Sequence, residues 1–245
     1  MRKFLTAEWH DLIMANYEVD PSLLTSRVPA GTELDLHEGR CFVSLVGFMF
    51  LNTRVLGLPI PGHINFEEVN LRFYVKREMP DELRRGVCFI KEIVPRAAIA
   101  FVARRLYGEP YEAAIMRNYN DSGKVSYRFG KIPQNVHARK FKNLMSESIK
   151  VTRGNRLGVP QVGSHEEFIT EHYWGYTKRG MNRTDEYKVE HPKWELYAAR
   201  HPKIKVNFGR WYGNELGFLS AKAPYSIVLA TGSEIAVFKG SKLSN

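Results

Sequence analysis

Residues 66–76 read Phe-Glu-Glu-Val-Asn-Leu-Arg-Phe-Tyr-Val-Lys. Successive side chains of a β-strand point to opposite faces, so this stretch separates into two rows. Val69, Leu71, Phe73 and Val75 form one row, wholly apolar. Glu68, Asn70, Arg72 and Tyr74 form the other: an acid, an amide, a guanidinium and a phenol. The period-2 alternation predicts a strand with one face in a core. In antiparallel sheets the second face is commonly wet, which is the ordinary reading of such a row. A solvent face usually mixes Lys, Glu, Thr and Ser, whereas Asn, Arg and Tyr with a single acid make this row less ordinary. Inside a barrel wide enough to hold a cavity, the same row can orient a small polar ligand.

The flanking sequence reads mostly as further strands. Residues 41–52 are strongly apolar, 57–62 form a loop, and 86–94 make another strand. Residues 111–119 and 124–131 flank Asn120-Asp121-Ser122-Gly123, a hairpin turn. Residues 9–19 look extended, and strands are also expected near 142–153, 184–190, 203–208, 225–230 and 234–239. Helices are few. Asp20 as N-cap with Pro21 at the first helical position starts a short one that ends near Val28 and Pro29. Residues 95–107 read as a second, with Arg104 and Arg105 in its last turn and Gly108 placed for a left-handed stop. Ser164-His165-Glu166-Glu167 is a capping-box pattern that opens a third, through about Tyr176. Many strands with few helices, in 245 residues, predict a mainly β fold. The expected architecture is an antiparallel barrel or sandwich with peripheral helices, one domain spanning residues 1–245.

Composition narrows the function classes. Hydrophobic residues at 44% and charged residues at 25% describe an ordinary globular chain. No apolar run approaches the ~20 residues that span a bilayer. The start, Met-Arg-Lys-Phe-Leu, turns polar at Glu8, His10 and Asp11 and lacks the apolar core of a signal peptide. A cytoplasmic protein without membrane contact is the expectation. Cys41 and Cys88 sit in apolar strand-like runs and are expected as reduced, buried thiols. Lys+Arg number 36 and Asp+Glu 26, a net charge of +10. The first 120 residues are electrically neutral, so the whole excess lies in residues 121–245. A basic half can mean nucleic acid or an anionic surface. Here, however, the charges are scattered (Lys140, Lys142, Lys150, Arg153, Arg156, Lys178, Arg179) rather than massed in one block. Nucleic acid is therefore not the expected partner, although a binder acting through residues 121–245 stands as an alternative. The eight histidines include no His-Glu-x-x-His pattern. His172 reads as packed or surface-exposed rather than as a ligand. Ser44 and Ser126 lack a nucleophile elbow, and no glycine-rich phosphate loop is present. No metal and no cofactor are expected.

The spacing Glu68-x-Asn70-x-Arg72-x-Tyr74-Val75 resembles the central signature of the YqjF-like family of uncharacterised bacterial proteins. Other pieces resembling that family follow in order: Val-Ser-Leu-Val-Gly-Phe at 43–48, Gly-Val-Cys-Phe at 86–89, and Ala103-Arg104 ahead of Glu109-Pro110-Tyr111. Phe-Ile-Thr-Glu-His-Tyr at 168–173 and His191-Pro192-Lys193-Trp194 complete the set, so the likeness runs from about Trp9 to Ala199. YqjF-like proteins are in turn similar, more distantly, to acetoacetate decarboxylase. That resemblance implies a cone-shaped β-barrel around a buried site, with Glu68 where the enzyme has a strand glutamate facing its pocket. The enzyme works through a Schiff-base lysine whose pKa is depressed by a neighbouring cationic lysine. The segment 104–112 follows the enzyme's frame, but Tyr111 and Glu112 stand where its two lysines lie. A phenol and a carboxylate cannot form an imine, so Schiff-base decarboxylation at that position is excluded by chemistry. Lys91, on a strand face with Val87 and Phe89, and Lys76, at the end of the polar strand, are the lysines left to reach a pocket. A lysine at a strand end ordinarily extends to water.

What remains is a candidate pocket without the nucleophile. Glu68 is a general base if burial raises its pKa, and Tyr111 is its catalytic partner. Arg72 and Arg104 can pair a carboxylate or enolate oxygen, Asn70 can fix orientation, and Tyr74 can donate a hydrogen bond. The competing account of the same residues is a buried polar network with no ligand. The expected function is binding of a small carboxylate or carbonyl compound in a barrel cavity, with or without acid/base catalysis. The other alternative is a structural or interaction protein with a filled barrel. Association into a homo-oligomer is left open.

Overall fold

A computed structural model describes residues 2–98, 100, 108–133 and 144–243. Its strands are β1 (Lys3–Val19), β2 (Glu33–Leu34), β3 (Cys41–Val55), β4 (Leu58–Pro59), β5 (Phe66–Glu78), β6 (Leu83–Val94) and β7 (Tyr111–Asp121). They continue with β8 (Lys124–Lys131), β9 (Glu147–Gly158), β10 (Trp174–Gly180), β11 (Arg183–Glu190), β12 (Leu196–Lys205), β13 (Ser226–Phe238) and β14 (Ser241–Lys242). Three short helices, α1 (Ser22–Thr25), α2 (His165–Thr170) and α3 (Phe208–Tyr212), and a 3-10 turn at Asn214–Ser220 complete the described elements. The mainly β class read from the sequence is the observed one.

Strands β13, β1, β3, β5 and β6 lie side by side in that order. The outer edges of β6 and β13 then divide. Gly86 and Val87 of β6 pair with β10, whereas Glu92, Ile93 and Val94 pair with β7. Val228, Leu229 and Ala230 of β13 pair with β12, whereas Ala236 and Val237 pair with β11. Two circuits of hydrogen-bonded strands result. One closes through β7, β8, β9 and β12, the other through β10 and β11, and the five central strands are a wall shared by both. The β6–β7 and β6–β10 pairs are parallel, a departure from the all-antiparallel arrangement expected.

Side-chain alternation assigns each face of the wall to one circuit. Ile13, Tyr17, Val43, Leu45, Val69, Leu71, Phe73 and Val75 project toward the β7–β9 side. There they meet Val125, Tyr127, Phe129, Ile149 and Val151, and α3 closes the packing with Phe208 and Trp211. Leu12, Met14, Val46, Phe48, Phe50, Phe66, Tyr74 and Val87 project to the opposite side. The apolar row of residues 66–76 is therefore core, as its spacing predicts.

Local chemistry sets the details. The β7–β8 hairpin turns on Ser122 and Gly123, with φ of 50° and 77°. Two consecutive left-handed residues match the twist of the strands they join. In β6, Leu71 opposes Lys91 but Arg72 opposes Phe89, leaving Ile90 as an extra residue. Such a bulge reverses the faces of all that follows. Phe89 and Glu92 consequently show the same side of the sheet.

Some expected boundaries shift. The helix opened by Ser164, whose hydroxyl accepts from Glu167 N at 3.2 Å, stops at Thr170 rather than near Tyr176. Trp174 is drawn into β10 by its pairing with Gly86. The two strands expected at 225–230 and 234–239 are one, β13, carried through Gly232 at φ 81°. The strand expected to reach residue 208 ends at Lys205, and Asn207 caps α3 by accepting from Arg210 N at 2.9 Å. Most of the expected helix at 95–107, Arg104 included, lies outside the described residues.

Candidate functional site

The two sides of the wall are filled differently. Between the wall and strands β10 and β11 lies a cavity of about 270 Å³. Its lining is mainly apolar and aromatic, with Trp9, Phe48, Phe50, Phe89, Trp174 and Trp194 among the residues that form it. A few polar groups converge on it. Glu68, Asn70 and Arg72 come from β5, Glu92 from β6, Glu109 and Tyr111 from the chain entering β7, and His172 from the link between α2 and β10. Few polar groups in an apolar hollow is the usual constitution of a small-molecule site.

Glu68 is 2% exposed. One of its oxygens accepts from Asn70 Nδ2 at 2.9 Å and the other from the Tyr111 hydroxyl at 3.3 Å. Burial pushes the carboxyl up to about 7, against the opposing pull of those two hydrogen bonds and of the Arg72 charge. Glu92 stands directly across from Asn70 on one side and Tyr111 on the other. Burial, then the charges of Glu109 and Glu68, hold it well above the usual carboxylate range. Its Oε2 is buried with no hydrogen-bond partner. Glu109 accepts from Thr177 Oγ1 at 2.5 Å. It too is raised to about 7 by burial, although Thr177, Tyr187 and the Arg179 charge pull it down. Three carboxyls around one apolar hollow each make ionisation of the others harder.

Arg72 donates from Nη2 to the Ile169 carbonyl at 3.0 Å, while its Nε is buried and unpartnered. Asn70 Oδ1 is likewise buried and unpartnered. The described structure thus brings Glu68, Asn70, Arg72 and Tyr111 together at the cavity. Tyr74 shares their face but does not line the hollow. Its hydroxyl is 2.6 Å from Ser44 Oγ, which donates to Asn16 Oδ1 at 2.6 Å. From there the chain of bonds continues through Ser226 to His165. Tyr74 therefore serves a buried hydrogen-bond network beside the cavity. Its ring lies 4.7 Å from that of His172. His172 bonds Asp35 through Nε2 at 3.1 Å, and burial lowers its pKa to about 4, so its ring is neutral at pH 7.

The two substitute lysines are elsewhere. Lys91 Nζ is bonded to Glu112 Oε2 at 2.8 Å, and Lys76 is paired with Glu33 at 2.9 Å. The Ile90 bulge is the reason for the first: it turns Lys91 away from the cavity and Glu92 into it. The same bulge hid Glu92 from sequence reasoning, because unbroken alternation puts Lys91, not Glu92, beside Phe89. Glu109 was visible only as part of Glu109-Pro110-Tyr111, one of the pieces resembling the family. No group of His, Cys, Asp and Glu among the described residues could hold a metal ion.

The profile of the DUF2071 family, described as an uncharacterized conserved protein, matches residues 6–234. The chain belongs to this family. It is 32% identical over 200 residues to the uncharacterized protein YqjF of Bacillus subtilis (strain 168), spanning 81% of this chain and 77% of that protein. The family resemblance drawn from residues 68–75 is thereby confirmed. Among solved structures, acetoacetate decarboxylase from Legionella pneumophila superposes with a TM-score of 0.67 at 11% identity, over 99% of this chain and 88% of the other. The enduracididine biosynthesis enzyme MppR in complex with pyruvate gives 0.65 at 14%, over 100% and 91%. An acetoacetate decarboxylase-like enzyme from Sphingomonas wittichii RW1 gives 0.63 at 12%, over 100% and 94%. At these identities the likeness to the solved structures is one of fold. This DUF2071 member has that fold with Tyr111 and Glu112 where the resemblance puts two lysines.

Proposed function

We propose that the cavity binds a small carbonyl compound and that Glu68 moves a proton at the carbon next to its carbonyl group, with no imine formed. The observation that carries the reading is Glu68 itself: a carboxyl 2% exposed, held by Asn70 and Tyr111, facing an apolar hollow, and raised to about 7. A base is most effective when its pKa lies near the working pH. In the forward step the C–H bond breaks and its electron pair enters an enolate. The proton goes to the Glu68 carboxylate, which returns it to carbon. The Tyr111 hydroxyl, already aimed at Glu68, donates to the enolate oxygen. Arg72 Nε takes a second oxygen of the ligand where there is one, as in a keto acid. The complex of MppR with pyruvate supports this as a ligand class for the fold.

Two alternatives fit less well. A filled interior is hard to reconcile with a 270 Å³ hollow, since a cavity of about 150 Å³ already takes up benzene. A basic nucleic-acid face is weakened by pairing across the halves: Arg153 bonds Asp11 at 2.9 Å, and Lys131 pairs with Glu112.

The test is solvent exchange at carbon. 2-Butanone and pyruvate are incubated with the protein in deuterated buffer and followed by NMR. Exchange above the buffer rate is expected, rising with pH toward a plateau above about 7 as Glu68 ionises. Glu68→Gln is expected to remove about 100-fold or more of it, and Tyr111→Phe about 10-fold. Exchange indifferent to Glu68→Gln would overturn the reading.

A further inference from the structure

Two of the buried polar atoms without a partner belong to residues that face each other across neighbouring strands. Asn70 and Glu92 are a directly opposed cross-strand pair on β5 and β6, each 2% exposed, and both line the cavity. Opposed side chains in such a pair have their Cβ atoms about 5 Å apart. Asn70 Oδ1 and Glu92 Oε2 are the atoms left bare. The amide oxygen can only accept a hydrogen bond, and Glu92, once the charge of a bound cation favours its ionised form, can only accept as well. A buried acceptor with nothing donating to it is costly and calls for an explanation. A ligand that offers N–H groups and positive charge to both atoms explains them.

The surroundings agree. Glu68 on β5 and Glu109 ahead of β7 add two further carboxyls to this end of the hollow. Tyr111 at the start of β7 and Tyr187 on β11 are the phenols that face it. Arg72 lines the cavity two residues farther along β5, with its Nη2 already bonded to Ile169. Arg179 on β10 acts on Glu109, and His172 is neutral at pH 7. The hollow is thus acidic at the Glu92 end and basic at the Arg72 end. The aromatic rings that line it suit a cation, which is attracted to ring faces.

We infer that the natural ligand of this cavity carries a protonated amino group, which sits between Glu92 and Asn70 while its carbonyl end points toward Arg72 and Tyr111. The inference rests on the cavity being the functional site, and it names the substrate class: a small aminated carbonyl compound rather than a plain ketone. Binding of the cation favours the ionised form of Glu92, so protons are released as the complex forms. It also makes affinity climb with pH across the range in which the buried carboxyls titrate.

The experiment compares butylamine, cationic throughout the range, with 2-butanone, a neutral molecule of near-equal size. Isothermal titration at pH 5.5 and pH 8, in buffers of differing ionisation enthalpy, reads affinity and proton release together. Butylamine is expected to bind at least tenfold more tightly at pH 8 than at pH 5.5, with proton release. Glu92→Gln, which keeps the shape, is expected to weaken butylamine at least tenfold more than it weakens 2-butanone. Asn70→Leu should weaken butylamine a few-fold. If 2-butanone binds while butylamine does not, or if butylamine ignores both pH and Glu92→Gln, the amino group is refuted and the carbonyl site stands. If neither molecule binds, both readings fall. Should Glu92→Gln not fold, the pH dependence and proton release of the unaltered protein decide alone, and their absence overturns the inference.

Discussion

The wall of five strands has two faces with opposite fates. On the β7–β9 side, Phe73, Tyr127 and Phe129 are at most 1% exposed and belong to one continuous cluster closed by Trp211. On the β10–β11 side the rings of Phe48, Phe50 and Phe89 border open space, and the carboxyls of Glu68, Glu92 and Glu109 project into it. One interior is packed to hold the fold, and the other gives up packing and buries ionisable groups. That pattern agrees with the proposed site, because buried, convergent polar groups destabilise a protein unless something binds them. The comparison predicts where substitutions should hurt and where they should help.

The largest effect is expected on the filled side. Phe129→Ala removes a fully buried ring that meets Trp211 edge-on at 5.1 Å, and should cost about 3–5 kcal/mol in denaturant unfolding. Phe89→Ala should cost less than half as much, since a ring that borders a void already lacks contacts on one side. Equal losses would show that the two interiors are packed alike and would break the contrast.

The second effect has the opposite sign. The Glu68 carboxyl is raised from its ordinary 4.5 to about 7, so the folded state holds its proton more tightly than the unfolded chain. Its contribution is therefore fully present below about 4.5 and is lost as pH rises through about 7. A shift of that size corresponds to a loss on the order of 3 kcal/mol by pH 8. Glu68→Gln should thus be more stable than the unaltered protein at pH 8 and about equal at pH 4. His172, lowered to about 4, adds the reverse slope below its ordinary 6.5, but it is common to both proteins and drops out of the difference. Thermal unfolding of both proteins across this range checks the crossing. A difference that does not depend on pH would mean that Glu68 is not buried as described.

These outcomes also show what residues 66–76 reveal and conceal. The assignment of Val69, Leu71, Phe73 and Val75 to a core, and of Glu68, Asn70 and Arg72 to one sheltered face, needs only the strand period. The Ser122-Gly123 turn was equally legible, because few residues tolerate two left-handed positions in succession. Glu92 was not legible, since one extra residue at Ile90 inverts the faces and no local signal marks the insertion. The role of Tyr74 was hidden for another reason. A shared face says where a side chain points, not whether Ser44, 28 positions from Asn16, will engage its hydroxyl. Nor does strand period foretell that β6 and β13 each split between two partners, which is what creates a second interior.

A third, smaller effect probes how tightly the filled side abuts the wall. A Cβ added at Gly47 would meet Tyr127 Cδ2 at 2.8 Å. Gly47→Ala should destabilise by about 1–3 kcal/mol, as overpacking does, without altering carbonyl exchange in the opposite interior. Loss of exchange alongside the loss of stability would mean that the two faces are mechanically coupled through the wall.

The smallest effect expected is none, and it bears on the chemistry most directly. Lys91 is one residue from Glu92 in sequence, yet the bulge sends it to Glu112, 2.8 Å away, and out of the cavity. An amine bonded to a carboxylate outside the cavity is poorly placed to attack a carbonyl carbon within it. Lys91→Met should therefore leave carbonyl exchange unchanged while reducing stability by no more than about 1 kcal/mol, as for a partly exposed ion pair. Borohydride added to the protein with 2-butanone should leave the intact mass unaltered, because no imine is there to reduce. A mass increase that disappears in Lys91→Met would place a lysine inside the hollow, undo the account of the bulge, and return this chain to imine chemistry by a different residue.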